Sequence, residues 1–315
     1  MALNRYQTYK LLGQLFTNGL TEEVVGSVRE VDKLAQHLPT SIDLEEAAAD
    51  HQHIFGFNVF PYESVFLDPS GQLGGDIVTS TIRDYRQAGY DADSTSASPD
   101  HIGDELAFLA FLNKAGAQAR EQNNPAKAKL MGEYQRSFLD EHTLRWMPPL
   151  VLAIQGQRHP FYRAVATLMQ ETIMTHRKAL GDLPSVIFKL PEPPILLEDE
   201  KTGLREIADY FLTTSFSGIF LSRDDIGRLA RDNSVPRGFG DRRQMLVNLL
   251  QAAATYGDVG LVLSSLQEIT NSWAASYEAM ANSSEPMQSA TTWAKRVVAT
   301  YGIIAQMSSR IVDAG

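Results

Sequence analysis

Apolar residues recur at three- and four-residue spacing in one segment after another of this chain, while the two-residue alternation of a half-buried strand is scarce. That pattern commits the chain to helices packed on helices, because an element with one apolar stripe must bury it against another. Near the start, Tyr9, Leu12, Leu15 and Phe16 share a helical face, and Gly19 closes the segment before a new start at Thr21 with Glu22 and Glu23. Val24, Val25, Val28, Val31 and Leu34 predict a second helix, and residues 41–55 a third that carries Leu44, Ala47, Ala48, His51 and Phe55. Residues 54–67 contain Gly56 and Pro61, so a helix end, a turn and a short segment led by Pro61 are expected, followed by a turn at Asp68-Pro69-Ser70-Gly71. Another helix is predicted over 76–88, with a polar loop over 91–98. Ser98-Pro99-Asp100 then has the chemistry of a helix start, with Ile102, Leu106, Leu109 and Leu112 or Ala110 as the buried face. After a loop at 122–125, a helix runs through Phe138 and His142 to a break at Pro148-Pro149, and helices follow over 151–155 and 161–180.

A chain of 315 residues is long enough for one large or two modest domains. Pro184, Pro191, Pro193 and Pro194, beside Glu198-Asp199-Glu200, mark the boundary. The expected organisation is a domain over 1–185, a Pro-rich linker over 186–200, and a C-terminal helical domain over 201–315 with helices over 204–220, 224–232, 244–256, 259–280 and 288–312. The fold class is therefore all-α, a multi-helix bundle with a second helical domain or extension.

Several classes of function are excluded by composition. Cysteine is absent, which removes disulfides, thiolate nucleophiles, Cys-ligated zinc, iron–sulfur clusters and c-type haem attachment. The net charge of −10 has the wrong sign for binding nucleic acid through its phosphates. The opening Met-Ala-Leu-Asn-Arg-Tyr-Gln has no basic stretch followed by an apolar core, so no signal peptide is expected. No run approaches the ~18–20 apolar residues of a membrane span, and a cytoplasmic location is the expectation.

Clusters of titratable side chains offer two chemistries. His51 and His53 stand beside Glu45, Glu46 and Asp50, but a carboxylate-bridged metal bundle needs a second Glu-x-x-His, and Glu141 and His142 are adjacent. His101, with Asp100, Asp104 and Glu105, reads as an acid/base group or part of a metal-dependent hydrolase, and equally as a helix cap with an i,i+4 pair. A helical metal-dependent hydrolase using His51, His53, Asp100, His101 and Asp104 is accordingly the alternative function. No Gly-x-Ser-x-Gly elbow occurs, and neither Gly71–Gly75 nor the run Arg237 to Arg243 ends as a phosphate loop does. Arg223, Arg228 and Arg231 read as a solvated face or an anion contact. Phe57, Phe60, Tyr62 and Phe66 crowd around Pro61, as core or as the lining of a groove for an apolar peptide.

One ordered series goes further than any single residue. Pro61-Tyr62-Glu63-Ser64-Val65-Phe66-Leu67-Asp68, then Tyr85 with Gly89, then Ser98-Pro99-Asp100-His101-Ile102-Gly103-Asp104-Glu105-Leu106, then His142 with Trp146, then Pro160-Phe161-Tyr162, resembles the TorD/DmsD family of redox-enzyme maturation chaperones over about residues 5–185. The resemblance implies a cytoplasmic, non-enzymatic chaperone without cofactor or metal. Such a chaperone binds the twin-arginine signal peptide and the apo form of a molybdopterin-containing oxidoreductase, assists cofactor insertion and prevents premature export. It places the client-binding surface at Tyr62, Glu63, Leu67, Asp68, Asp100, His101 and Glu105, to which the side-chain chemistry adds Phe66 and Asp104. The chemistry agrees: two guanidinium groups and an apolar run call for carboxylates, here Asp68, Asp100, Asp104 and Glu105, beside apolar surface, here Tyr62, Phe66 and Leu67. His101, with an ordinary pKa, would make release sensitive to pH near neutrality. Residues 200–315 lie outside the resemblance and would cover the groove, dock the client's mature part or drive self-association. Relatives can exchange helices between protomers, so a homo-oligomer is allowed on this reading.

Overall fold

The structure is a computed structural model and describes residues 3–91, 98–181, 188–198, 202–236, 238–283 and 287–314. Most of the loop expected at 91–98, both ends of the Pro-rich stretch and Arg237 lie outside the described residues. Among those described, every extended element is helical, and the only β-type pairing is one antiparallel bridge between Tyr62 and His101. The all-α expectation holds. The chain divides into two compact units, one formed by residues 1–64 and 72–186, the other by 65–71 and 187–315.

In the first unit, α1 (Arg5–Asn18) opens with a capping box: the Asn4 side chain accepts from the Gln7 amide, and the Gln7 side chain answers the Asn4 amide. The predicted second helix is two, α2 (Glu22–Arg29) and α3 (Asp32–Ala35), because Val31 is extended between them. α4 (Leu44–His51), capped by Asp43, passes into a π-turn over Gln52–Asn58 that ends before Pro61. α5 (Glu63–Leu67), whose residues from Val65 onward belong to the second unit, and α6 (Gly75–Gln87) lead to α7 (Ile102–Glu121). The helix expected to begin at Ser98 begins at Ile102 instead, with His101 as its N-cap accepting from the Gly103 amide at 3.0 Å. Asp100 is not free to cap α7, because it serves another helix, as described below.

α8 (Pro125–Phe138), a π-turn over Leu139–Thr143 and α9 (Leu144–Gln155) form one unbroken helical run, and α10 (Pro160–Ala179) follows. The break expected at Pro148-Pro149 does not occur. Both prolines are buried inside α9 between Trp146, Met147 and Leu150, and the irregular turn that accommodates them lies one turn upstream. α1 packs on α7 at a glycine crossing: a Cβ on Gly13 would stand 3.0 Å from the Gly103 carbonyl, and one on Gly103 would collide with the Thr17 hydroxyl at 2.1 Å. Gly103 lies in the second sequence motif, and the close approach explains why a glycine is needed there.

The second unit contains α11 (Leu204–Leu212), α12 (Thr214–Ser217), α13 (Arg223–Asp232), α14 (Arg242–Tyr256), α15 (Val259–Ala281) and α16 (Gln288–Ala314). The helix expected over 204–220 is interrupted at Thr213, which is extended. α15 and α16 form a long hairpin fastened by buried hydroxyls: Tyr277 donates to the Gly218 carbonyl at 2.9 Å, and Thr300 to the Ser217 carbonyl at 2.8 Å. The described part of the Pro-rich stretch, 188–198, runs extended beside α16. Carbonyls of Phe188, Pro191 and Leu197 accept from Thr292, Arg296 and Arg310, while Leu190 and Leu196 are buried. Proline suits this strap because its fixed backbone angle and missing N–H fit an extended segment with no ladder to join.

Candidate functional site

The two sequence motifs meet in the first unit. The Glu63 amide donates to the Asp100 carbonyl and the Ile102 amide to the Pro61 carbonyl, each at 2.9 Å, and the Tyr62 and His101 rings meet edge to face at 4.9 Å. Asp100 is fully buried, and its carboxylate accepts from the Ser64 amide at 2.9 Å and from the Ser98 hydroxyl. One residue thus answers the first two amides of α5, groups that a helix start leaves without internal partners. Asp100→Ala is therefore expected to cost about 0.5–2 kcal/mol of stability, the range for a lost cap, and Asp100→Asn less, as read by denaturant unfolding.

Glu63 and Glu105 are also buried. Glu63 Oε2 accepts from His142 Nδ1 at 2.7 Å, and the other ring nitrogen donates to Asp84 Oδ2 at 3.2 Å. Burial alone would push His142 down, but its hydrogen bonds to Asp84 and Glu63, with the charges of Glu63 and Glu105, push it up to about 10. It is an imidazolium held between two carboxylates. Burial raises Glu63, and the His142 bond opposes that rise. Asp84, at the edge of the unit, resists burial through bonds from His142 and Arg83 and lies below its ordinary value. Glu105 accepts from the Thr143 hydroxyl at 2.7 Å and the Trp146 indole N–H at 3.2 Å. Burial first, and the Glu63 charge second, hold it well above the carboxylate range. The π-turn that carries His142 and Thr143 aims both into this cluster. Glu63 Oε2 and both carboxylate oxygens of Asp100 and Glu105 are thus committed to internal donors.

Tyr62, His101 and Asp104 lie instead on an open groove of about 800 Å³. Its wall on α7 is the face Asp104, Ala107, Phe111 and Lys114, and α1 contributes Tyr6, Lys10, Gln14 and Thr17, with Tyr90 and Asp91 at one end. The Lys114 ammonium stands over the Tyr6 ring at 5.7 Å. Asp104, Phe111 and Lys114 fall at helical spacing, so this face was legible once the helix was placed; the α1 side was not. Burial pushes His101 down to about 4, with Asp100 opposing and His51 reinforcing. It stays neutral near pH 7, which overturns the expectation that its titration there would govern release.

Phe66, Leu67 and Asp68 belong to the second unit. Phe66 is fully buried and stacks on Phe220 at 5.2 Å, and Phe220 in turn carries the Arg242 guanidinium at 4.6 Å. Asp68 shapes the expected turn: its carboxylate accepts from the Ser70 amide at 2.8 Å and hydroxyl at 2.6 Å, and Gly71 follows with a positive φ of 61°. Leu67 is partly buried.

The histidines of the hydrolase alternative are dispersed into local bonds. His51 donates from Nε2 to the Phe16 carbonyl at 3.0 Å, His53 Nε2 meets the Asn58 amide at 3.2 Å, and His101 Nδ1 is used in its cap. Among the described residues, no group of three or more His, Asp or Glu side chains is arranged to hold a metal ion, and no helix is long and apolar enough to cross a membrane.

Comparison with known proteins adds a lineage to this geometry. Residues 22–151 match the model of the nitrate reductase delta subunit family. The chain is also 28% identical over 178 residues to Chaperone protein TorD of Vibrio cholerae serotype O1, in the classical Ogawa 395 strain and equally in strain M66-2. The match covers 53% of this chain and 79% of each relative. Over the helices that carry the two paired motifs, this chain is similar both to that family model and to the TorD chaperones, in keeping with the resemblance of the motifs.

Proposed function

We propose that this chain is a cytoplasmic chaperone, not an enzyme, for maturation of a molybdopterin-containing oxidoreductase. It holds the apoprotein through its twin-arginine leader until the cofactor is inserted. The observation that carries this reading is the groove at Tyr62, His101 and Asp104, whose α7 wall lies inside the stretch matched to the family model and beside the joined motifs. Tyr90, Phe111 and Tyr62 offer rings to the apolar run of the leader. Glu63, Asp100 and Glu105 act as positioning residues on this reading, keeping the Tyr62–His101 bridge in place from beneath. Residues 201–315 are assigned to docking the mature part of the client or to self-association.

Calorimetric titration of the chain with a twin-arginine leader, and with the same peptide carrying Gln in place of both arginines, tests the proposal in chelator at low and moderate salt. Saturable binding is expected, with the Gln peptide at least ~10-fold weaker, since hydrogen bonds to charged groups contribute ~1.5–3 kcal/mol each. Equal affinity for the two peptides, or no binding, would overturn the reading.

A further inference from the structure

We propose that the arginine pair of the leader seats in a second groove of the first unit, formed by the start of α4 and the start of α10, while the apolar run lies in the groove at Tyr62. This inference rests on the function proposed above and names which end of the peptide goes where. The second groove has a volume of about 950 Å³. Asp43, Glu45, Glu46 and Asp50 line it, and no lysine or arginine does, whereas the groove at Tyr62 sets Lys10 and Lys114 against Asp91 and Asp104. A doubly cationic segment is therefore better matched here, and low-dielectric walls strengthen the match by focusing the field of the carboxylates. Glu45 and Glu46 are exposed and have no ion-pair partner among the described residues.

A second observation on the same groove points to a peptide and not to loose counter-ions. Tyr162, almost wholly buried, lines the groove; the Leu20 backbone N–H reaches its oxygen, and the hydroxyl's own proton meets no acceptor. His159, also in the lining, gives its Nε2 proton to Asp50 at 3.0 Å and leaves Nδ1 buried without a partner. An unused hydroxyl donor and an unused imidazole acceptor are the complement of one backbone carbonyl and one backbone N–H, as an extended peptide presents them. The grooves are also neighbours along the chain. Asn18 lines the groove at Tyr62 and Leu20 lines the acidic one, so the walls come within ~7 Å of each other at the end of α1. A single extended segment can therefore pass from one to the other.

The test measures the ratio of affinities for the arginine leader and its Gln counterpart in the full chain. Wild type is compared with Glu45→Lys/Glu46→Lys, with the milder Glu45→Gln/Glu46→Gln, and with Tyr162→Phe. The wild-type ratio of at least ~10-fold is expected to fall to within about twofold in the Lys variant and to an intermediate value in the Gln variant. In Tyr162→Phe, which lacks only the donor, both peptides should weaken and the ratio should persist. An unchanged ratio in the Lys and Gln variants, with helicity retained, overturns this inference and leaves the proposed function standing. Absence of leader binding in wild type overturns the function itself, and this inference with it.

Discussion

Replacing His142 with alanine is expected to destabilise the first unit by about 3–5 kcal/mol, the range for removing one partner of a buried ion pair, and to lower its melting temperature by about 6–20 °C. The cost arises less from the lost attraction than from what remains: Glu63 would be buried without the cation hydrogen-bonded to it, and Asp84 would lose its bond from Nε2. Glu63→Gln combined with His142→Gln should recover much of the loss, because two neutral amides leave no uncompensated charge, and the double variant should fall well short of the sum of the singles. The pH dependence follows from the direction of the shift. The folded value of His142, about 10, lies above its ordinary 6.5, so its contribution is fully present below 6.5 and is lost as pH rises through about 10. Thermal unfolding of wild type and His142→Ala across that window checks this, and the gap between them should narrow toward the alkaline end. A gap that widens there would mean the imidazole is neutral in the fold.

Phe66→Ala is expected to destabilise the second unit by about 3–5 kcal/mol, the range for emptying a buried aromatic site. Phe66 is fully enclosed and stacked on Phe220, so truncation removes ring contacts and leaves a cavity next to the Arg242–Phe220 pair. Hydrogen exchange should show the loss over the helices of 204–314, and leader affinity measured where the chain remains folded should be unchanged. Weakened leader binding with undiminished protection of those helices would return Phe66 to the client surface, where the sequence motif suggests it.

Both predictions mark the places where residue type and burial diverge. A carboxylate in a motif reads as a charge available to a partner, and Glu63, Asp100 and Glu105 were read in that way. Their partners stand far along the chain, His142 at a separation of 79 residues from Glu63 and Trp146 at 41 from Glu105. No local pattern announces such pairs. Asp104, one turn into α7, was legible as a surface residue because helical spacing puts it on one face with Phe111 and Lys114, away from Leu106 and Leu109. Tyr6 and Lys10, across the groove on α1, were not, since their proximity depends on the Gly13–Gly103 crossing.

Misplaced helix boundaries have equally specific causes. Ser98-Pro99-Asp100 carries every signal of a helix start, yet the side chain of Asp100 is drawn to the amides of α5, and the cap passes to His101. Pro148-Pro149 carries the signal of a break, yet the burial of both rings keeps α9 continuous and displaces the irregularity into the π-turn where His142 sits.

By itself, the sequence determined that this protein is built of helices, where most of them begin and end, that cysteine and thiolate chemistry are excluded, and to which family its paired motifs point. These follow from spacing and residue type, which act over one or two turns of chain. Only the tertiary structure decided which carboxylates face solvent, that His142 is an imidazolium between Glu63 and Asp84, that His101 stays neutral, and that Phe66 is core. These depend on desolvation and on charges brought together from distant positions, and solvation free energy is a property of the packed environment and not of the residue.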